Sequence, residues 1–400
     1  MVLNKDKKVL KSSIEREQNQ TCLNSAEREK IKGSTNLNVP HLRFPEFTEG
    51  WEEVTLKEVA DFQKDRVSTE LLNESTYIST ENIQQNFGGI QLANTVPTNA
   101  NVIAYNKNDI LLSNIRPYLK KVWLADRNGG CSADVFVLRS RCCEQSFLYN
   151  VIASDRFIGY VMSGAKGVKM PRGDKKQMEN FKFSLPSVIE QRKISRLLSL
   201  LDERIATQNK IIEKYESLIK GIAQHCIKES ISGITYVKLG DICQITTGKL
   251  DANAQVDNGI YPFFTCAEKP FKIDNFAFDT EALLISGNGA NLGYINYYKG
   301  KFNAYQRTYV LDLFSENIQY IKWALKVLLP KRIAIEKSLS NTPYIVLSTL
   351  TDLRLPLPCK SEQSFIANLM QSLEGILSNQ IAQYDSYNYL KQYLLCQMFI

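Results

Sequence analysis

The feature that most constrains the fold is a long internal repeat. Residues 186–210 read PSVIEQRKISRLLSLLDERIATQNK, and residues 358–381 read PCKSEQSFIANLMQSLEGILSNQI. An offset of 172 carries the Pro-x-x-x-Glu-Gln motif at Pro186 onto the same motif at Pro358. Weaker matches precede both stretches and make the unit about 175 residues long, far beyond the roughly 20–50 residues of a solenoid repeat. The chain is therefore a tandem duplication of a domain followed by a helix.

Each copy ends in apolar steps of three and four residues, a pattern that predicts a long amphipathic helix. Nearly 40 helical residues would make a rod of about 57 Å. Pro186 and Pro358 keep either helix from starting earlier, and Ser187 and Ser361 are candidate N-caps. The seam of the predicted coiled coil is formed by Ile194, Leu197, Leu201, Ile205, Gln208, Ile212, Ile366, Leu369, Leu373, Leu377, Gln380 and Tyr384.

Two helices with such stripes are expected to pair with each other, because neither would stay exposed to water. As equivalent parts of a duplication they would be related by an internal pseudo-twofold axis, and the pair would be antiparallel if that axis crosses the helices. Gln208 and Gln380 interrupt the apolar seam near its middle. They are expected either to meet near the axis and fix the register, or to be part-exposed at a frayed seam.

The part before each helix mixes strand and helix signals, which predicts an α+β fold. ILLS at 110–113 resembles LLIS at 283–286, and both are strand-like. Helices are expected near 146–162 and 316–329, and YKGK at 298–301 is a turn signal. We predict a polar, flexible extension at 1–38, globular domains at 39–187 and 231–360, a central long helix at 188–230 and a C-terminal long helix at 361–400.

Composition narrows the classes of protein without naming one. The formal net charge of +7 is compatible with nucleic acid, although ordinary proteins also carry such a charge. His41 and His225 are the only histidines, so a histidine metal site or a Ser-His-Asp triad is not expected. The glycine-rich ISGNGANLG at 285–293 is interpreted as a turn between strands, with a phosphate cradle as the alternative.

The location is expected to be the cytoplasm, with no membrane partner. No stretch approaches the roughly 18 apolar residues that span a bilayer. The opening MVLNKDKKVLKSS has lysines but no following apolar run of a secretory signal. Nine cysteines without a C-x-x-C pair fit a reducing compartment.

Several motifs resemble one family. NVPHLRFPEF and WEEVTLKEVADF, within residues 38–62, are similar to the opening of specificity (S) subunits of type I restriction–modification enzymes. The Leu-Pro and Glu-Gln junctions that lead into both long helices resemble the two spacer regions of that family. The resemblance covers nearly the whole chain beyond residue 38, and its order of domain, helix, domain and helix is more specific than any short motif.

The resemblance implies a protein of phage defence that does no chemistry itself. Each globular part would be a target-recognition domain that reads one half of a bipartite site in double-stranded DNA. The helix pair would hold the domains apart and dock two methyltransferase (M) subunits, with two restriction (R) subunits in larger complexes. Adenine methylation would use S-adenosylmethionine held by a partner, and ATP and Mg would act in the partners. No cofactor or metal is expected in this chain, which also lacks a phosphate loop and an amino-methyltransferase tetrapeptide.

Candidate DNA-binding residues lie in polar loops of the two predicted domains, one of which, SNIRPYLKK, ends a predicted strand. In the first domain they are Asn114, Arg116, Tyr118, Lys120 and Lys121 of SNIRPYLKK, and Lys166, Lys169 and Arg172 of GAKGVKMPRGDKK. In the second they are Lys249, Asn288, Asn291, Gln306, Arg307, Asn341 and Tyr344. Cations would bind phosphates, and polar side chains would read base edges. The alternative for each charge is a solvated surface side chain, and for each tyrosine a core or interface position.

Two other functions remain open at this point. The chain could be a coiled-coil scaffold whose two domains bind other proteins rather than DNA, in which case salt-dependent duplex binding would be absent. It could also be an enzyme that acts alone on nucleic acid, in which case the isolated chain would methylate or cleave DNA.

Overall fold

The computed structural model of the chain describes residues 38–167, 169–228, 235–340 and 344–400, the side chains of 337–340 excepted. Residues 1–37 of the predicted extension and the candidate Asn341 lie outside this part of the chain. The chain forms two compact units. The first unit joins the residues up to Thr207 with Tyr384–Ile400, and the second unit comprises Gln208–Gln383.

Both units combine sheets with helices, which confirms the predicted α+β class. The strands are β1 (Glu52–Thr55), β2 (Ala60–Phe62), β3 (Arg66–Ser68), β4 (Tyr77–Ile78), β5 (Asn101–Tyr105), β6 (Ile110–Ser113), β7 (Val122–Leu124), β8 (Gly129–Cys131), β9 (Val135–Ser140), β10 (Lys182–Leu185), β11 (Thr235–Lys238), β12 (Gln244–Thr247), β13 (Tyr261–Phe264), β14 (Phe271–Ile273), β15 (Phe278–Ser286), β16 (Ile295–Ala304), β17 (Thr308–Asp312) and β18 (Arg354–Leu357). The α-helices are α1 (Leu56–Val59), α2 (Gln145–Ala153), α3 (Asp155–Ser163), α4 (Lys175–Glu179), α5 (Val188–Lys228), α6 (Ile318–Ser340), α7 (Leu347–Thr351) and α8 (Lys360–Gln397).

The same sheet arrangement occurs in both units, as the duplication requires. A four-stranded sheet of order β2-β9-β6-β7 in the first unit corresponds to β12-β17-β15-β16 in the second, where β13 and β14 extend it to six strands. An antiparallel ladder joins the first strand of each domain to the strand before its long helix, β1 to β10 and β11 to β18. The first unit adds a four-stranded sheet of order β3-β5-β8-β4.

One predicted turn is wrong. YKGK at 298–301 lies in the middle of β16, where Gly300 pairs with Thr280 of β15 in an antiparallel register. The reversal occurs instead at 287–294, within the glycine-rich stretch that was expected to connect two strands. The tertiary pairing of a long strand overrides the local turn preference of a single glycine.

The helix predictions need three corrections at their boundaries. The helix expected at 146–162 is two helices, because Ser154 accepts a hydrogen bond from the Phe157 backbone N–H and caps α3. The helix expected at 316–329 continues to Ser340. Ser361 is not an N-cap, since α8 begins at Lys360, whereas Ser187 Oγ does accept from the Glu190 N–H at 3.4 Å.

The two long helices pack against each other in opposite directions within each unit. In the first unit Asp202 of α5 pairs with Lys391 of α8 at 2.5 Å, and Arg204 donates to the Tyr387 hydroxyl. Contacts thus move backward along α8 as they move forward along α5. In the second unit Gln208 Nε2 donates to Gln380 Oε1 at 2.8 Å and to its backbone carbonyl at 3.0 Å. Equivalent positions of the repeat therefore meet.

The seam residues named from the sequence face the interior to different degrees. Fully buried are Ile194, Gln208 and Ile366, and the other nine are half-buried. Leu197 and Leu201 pack on the core of the first unit, and Leu373 and Leu377 pack on that of the second. A two-helix pair covers only one side of each helix, so half-burial near its middle is the expected degree.

The repeated Glu-Gln motif ties each domain to its long helix. Gln191 is 1% exposed, donates to the Pro186 carbonyl and accepts from the Glu144 N–H at the start of α2. Gln363 is also 1% exposed and makes the same two bonds, to Pro358 and Asn317 at the start of α6. One side chain in each copy thus satisfies a strand end and a helix start, and this explains why the motif is duplicated.

Within the described residues, no helix is both long enough and apolar enough to cross a membrane.

Candidate nucleic-acid interface

In the first unit the two candidate loops meet at the end of β6. The Arg116 N–H donates to the Pro171 carbonyl, the Gly173 N–H donates to the Asn114 carbonyl, and the Asn114 N–H donates to Asp134. We call residues 114–121, 132–134, 166–167 and 169–173 loop cluster 1. The end of β6 and the start of β9, which pair in one sheet, bring 114–121 and 132–134 together, and the loop between α3 and α4 adds 166–167 and 169–173 through backbone hydrogen bonds.

Most cations of loop cluster 1 already have a partner. Arg172 pairs with Asp134 at 3.2 Å, Lys166 pairs with Asp174 at 3.2 Å, and Lys121 Nζ donates to the Thr80 carbonyl at 2.6 Å. Lys120 pairs with Asp155. Arg116 and Lys169 are exposed and form no ion pair with any residue that the structure describes. Tyr118 is 49% exposed, so it is a surface residue and not part of the core.

In the second unit the corresponding loops also converge. The Tyr305 N–H donates to the Phe264 carbonyl, the Gln306 N–H to Leu250, and the Ile345 N–H to Gly287. We call residues 246–250, 287–294, 305–307 and Tyr344 loop cluster 2. It contains every described candidate of the second domain, and Lys249, Gln306 and Arg307 are exposed within it.

The partners in loop cluster 2 are amides and rings rather than carboxylates. Arg307 lies over the ring of Tyr344, 5.7 Å from its centroid. The Cys266 thiol lies 2.9 Å from Asn288 Oδ1, and Asn291 Nδ2 donates to the Cys266 carbonyl. These bonds fix the two asparagines while leaving Arg307 open to solvent.

The two loop clusters share one arrangement of backbone hydrogen bonds and bridges, which we call the backbone frame. Equivalent residues in the two copies differ in number by 172 or 173. Matching contacts are the hydrogen bonds Ser113–Lys121 and Ser286–Tyr294, the bonds Leu119–Arg116 and Leu292–Gly289, and the bridges Ile115–Arg172 and Asn288–Tyr344. The frame is therefore duplicated together with the helices. The side chains on it differ between the copies.

Two positions of this frame have left-handed backbones. In the first copy Arg116 has φ 51° and Lys120 has φ 50°. In the second the same positions are Gly289 with φ 79° and Gly293 with φ 83°. Glycine adopts this region freely, whereas a residue with a Cβ pays about 1–2 kcal/mol. The first copy carries that cost twice in one loop, and strained backbone of this kind concentrates at functional sites.

The charges on the frame differ between the copies. Asp134 and Arg307 occupy equivalent places at the start of β9 and β17, and Arg172 and Tyr344 occupy the facing position. An ion pair in the first copy thus replaces a cation–ring contact in the second. A surface that reads two different sequences would have this form, with one scaffold and two sets of side chains.

The sequence reasoning missed three residues of this region. Asp134 holds Arg172, the Thr80 carbonyl holds Lys121, and Cys266 lies beside Asn288. Their contacts cross long sequence separations, so no local pattern signals them. The position of Asp134 just before a strand, opposite Arg307 in the alignment of the repeats, was the one available hint.

Two titrating groups beside the loop clusters, Asp174 and Tyr309, have pKa values shifted away from neutral pH. Hydrogen bonds from the Gln177 backbone and from Lys166 lower the pKa of Asp174. Burial raises the pKa of Tyr309, whose hydroxyl donates to the Ile345 carbonyl. Asp174 is therefore ionised and Tyr309 uncharged at neutral pH, and both act as structural partners of the loops. Among the described residues no group of histidine, cysteine, aspartate and glutamate could hold a metal ion.

Comparisons with known proteins agree on one family. A family model for the type I restriction modification DNA specificity domain matches residues 48–217 and 231–384, once for each copy of the repeat. The type I restriction enzyme EcoDI specificity subunit of Escherichia coli is 44% identical over 137 residues, which span 34% of this chain and 30% of that subunit. The MjaVIII specificity subunit of Methanocaldococcus jannaschii is 26% identical over 383 residues, 84% of this chain and 88% of that subunit.

Solved structures share the fold. The crystal structure of the S subunit of a type I restriction–modification system from M. genitalium has a TM-score of 0.63 at 18% identity, covering 90% of this chain and 99% of that one. A chain from a structural study of assembly and conformational transition in a type I system has a TM-score of 0.56 at 21% identity, covering 89% and 98%. The duplicated domain-and-helix architecture is thus shared with solved structures from such systems.

Proposed function

Because this chain belongs to the family of type I restriction–modification specificity subunits, whose domain recognises DNA sequence, we propose that each of its two domains reads one half of a bipartite duplex site. The observation that carries the proposal is the pair of loop clusters, which have one backbone frame and different side chains. A single frame suits equivalent positions on the duplex, and different side chains suit different half-sites.

The DNA contacts follow from the chemistry of the two loop clusters. Loop cluster 1 contains six cationic side chains, those of Arg116, Lys120, Lys121, Lys166, Lys169 and Arg172. Phosphates compete well for lysines that are paired only with exposed carboxylates, because exposed ion pairs contribute little. Loop cluster 2 contains Lys249 and Arg307, with Asn288, Asn291 and Gln306 as base-edge readers. The first half-site is thus held more by charge and the second more by amide contacts.

The helix pair sets the distance between the half-sites. Half-sites on one face of B-DNA lie about 34 Å apart, one helical turn. A rod of paired helices is suited to hold such a span, since its hydrogen-bonded backbone resists bending. The base pairs between the half-sites are not read.

Two M subunits dock on the outer faces of the long helices. Leu218 of α5 is 50% exposed, and Leu390 of α8, its equivalent at an offset of 172, is 43% exposed. Tyr389 and Tyr393 widen the apolar patch around Leu390 in the first unit. Paired patches at equivalent positions fit two copies of one partner, because exposed apolar patches mark interaction surfaces.

Catalysis belongs to the partners. The M subunits hold S-adenosylmethionine and methylate an adenine that is flipped out of the stack at a cost of a few kcal/mol. Two R subunits use ATP and Mg for restriction. The protein itself is a non-catalytic subunit that acts in the cytoplasm together with them.

DNA binding is tested with the chain assembled with its M subunits and a duplex that carries the methylated site mapped from genomic DNA. The logarithm of the binding constant should fall linearly with the logarithm of the salt concentration. Replacing Lys166, Lys169 and Arg172 by alanine should reduce the slope by about 2–3, since each lost phosphate contact removes about 0.9.

The matched control replaces Lys57, Lys64 and Lys107, three exposed cations of the same domain outside loop cluster 1, by alanine. This variant has the same net charge and should keep the wild-type slope. Equal slopes for both variants would contradict the proposed interface, and salt-independent binding would favour the protein scaffold.

Docking is tested with Leu218→Glu and Leu390→Glu. Each variant should retain one of the two M subunits, and the double variant should retain neither, measured as the mass of the purified complex. The control is Gln371→Glu, an exposed residue of α8. Full complexes with both leucines replaced would contradict the proposed docking surface.

A further inference from the structure

The left-handed positions of the duplicated frame single out one side chain. Arg116 and Gly289 occupy the same place in the two copies, with φ 51° and 79°, and each carbonyl accepts from the N–H three residues later. Both copies therefore build the same turn. Glycine is the residue that this turn favours on conformational grounds.

The neighbouring left-handed residue has a side-chain partner within the protein, and Arg116 does not. Lys120 pairs with the Asp155 carboxylate at the start of α3, and its carbonyl accepts hydrogen bonds from the Phe87 and Val122 N–H groups. The Arg116 side chain is exposed and makes no hydrogen bond or ion pair with any residue that the structure describes. Folding alone would thus favour glycine at residue 116, as in the second copy.

The backbone that carries the Arg116 side chain is fixed by its surroundings. Its N–H donates to the Pro171 carbonyl at 2.8 Å, its carbonyl accepts from Leu119 at 2.9 Å, and Pro117 follows it. The two loops of loop cluster 1 therefore hold its backbone from both sides. Preorganisation of this kind favours a directed contact rather than a diffuse one.

A base contact explains the asymmetry between the copies better than a phosphate contact. Any of the several cations of loop cluster 1 can bind a phosphate, and such a contact needs no particular backbone conformation. It therefore gives no reason to keep a strained residue at position 116, where the second copy has glycine. A directed contact with one base does give such a reason.

We propose that Arg116 determines specificity in the first half-site by reading a guanine, with its guanidinium donating to O6 and N7. Arginine to guanine is the commonest specific contact in the major groove, and the bidentate geometry distinguishes guanine from other bases. This inference rests on the proposed function of the two loop clusters. It adds which residue reads a base and which base it reads.

The experiment combines a change in the protein with a change in the DNA. Duplexes with the mapped site carry 7-deazaguanine, which lacks the N7 acceptor, at each guanine of the first half-site in turn. The wild-type chain with its M subunits should bind one of these duplexes about tenfold more weakly than the unmodified site. Arg116→Gly should bind the unmodified site about tenfold more weakly and show no further loss at that guanine.

Stability provides the second readout. Arg116→Gly should have a thermal midpoint no lower than wild type, because glycine relieves the left-handed strain. Arg116→Ala should have a lower midpoint than Arg116→Gly, because it keeps the strain, and it should lose the same DNA affinity. Lys64→Ala controls for removal of an exposed cation from the same domain and should bind as wild type.

Two results would overturn the inference while leaving the proposed function intact. One is an Arg116→Gly complex that binds the site as tightly as wild type. The other is that each 7-deazaguanine in the first half-site weakens binding by the same factor in the wild-type complex and in the Arg116→Gly complex. Failure of the proposed function has a different signature, namely a wild-type complex that does not distinguish the mapped site from an unrelated duplex.

Discussion

Replacing Gln363 by alanine tests how the repeated motif holds each domain to its helix. Gln363 is 1% exposed, accepts from the Asn317 N–H at 3.1 Å and donates to the Pro358 carbonyl at 3.0 Å and to a Glu316 carboxylate oxygen at 2.8 Å. Each neutral bond contributes about 1 kcal/mol and the charged one about 1.5–3 kcal/mol. Water can reach the half-buried Glu316, so the total loss should be about 3 kcal/mol.

The equivalent change in the first copy should cost less. Gln191 makes two bonds of 2.7 Å, to Glu144 and Pro186, so Gln191→Ala should lose about 2 kcal/mol. The assay is urea unfolding of the full chain, followed by tryptophan fluorescence and circular dichroism. With slopes of a few kcal/mol per molar, Gln363→Ala should lower the midpoint of its transition by about 1 M.

Gln371→Ala serves as the matched control, since Gln371 is exposed on the same helix. It should change stability by less than about 0.5 kcal/mol. The reasoning would be refuted if the urea midpoint of Gln363→Ala differed from that of wild type by no more than the midpoint of Gln371→Ala does. The motif would then need another explanation for its duplication.

Two further predictions concern the long helices. Burial raises the pKa of Glu374, but the hydrogen bonds and charges of Lys322 and Lys326 lower it by more than burial raises it. The folded pKa of Glu374 therefore lies below the ordinary value. The stability that ionised Glu374 contributes is present above about pH 4.3 and is lost as the pH falls through its folded pKa. Glu374→Gln should therefore lower the free energy of unfolding at pH 7 and approach the wild-type value in acid. A difference in this free energy that does not change with pH would contradict the prediction. Leu201→Asp with Leu373→Asp should abolish both M-subunit binding and methylation, and an assembled complex that still methylates would show that the helix seam is dispensable.

The long helices were predictable because their signal is local and repeated. Leu197, Leu201 and Ile205 define one face through their spacing, and the second copy repeats that face at Leu369, Leu373 and Leu377. Duplication added the information that the helices have equivalent roles. Pairing of the two helices follows from the need to bury the stripe, and it is antiparallel because the twofold axis of the repeat crosses the helices near Gln208 and Gln380.

The loops were predictable in outline and not in detail. Strand ends bring SNIRPYLKK to one edge of a sheet, so its general position followed from the pattern of strands. The ion pair of Arg172 with Asp134 and the left-handed backbone at Arg116 depend on tertiary contacts across β6, β9 and a distant loop. No local propensity encodes such contacts, and the same limit explains the error at YKGK, where strand pairing decides the conformation of Gly300.

The most direct test of the central claim is the base preference of methylation on a library of randomised duplexes. The assembled complex should select two short segments separated by base pairs of any sequence. Arg116→Gly should relax preference in one segment only, and Arg307→Ala in the other only. A single continuous segment, or two variants that relax the same segment, would contradict the reading of a bipartite site by duplicated domains.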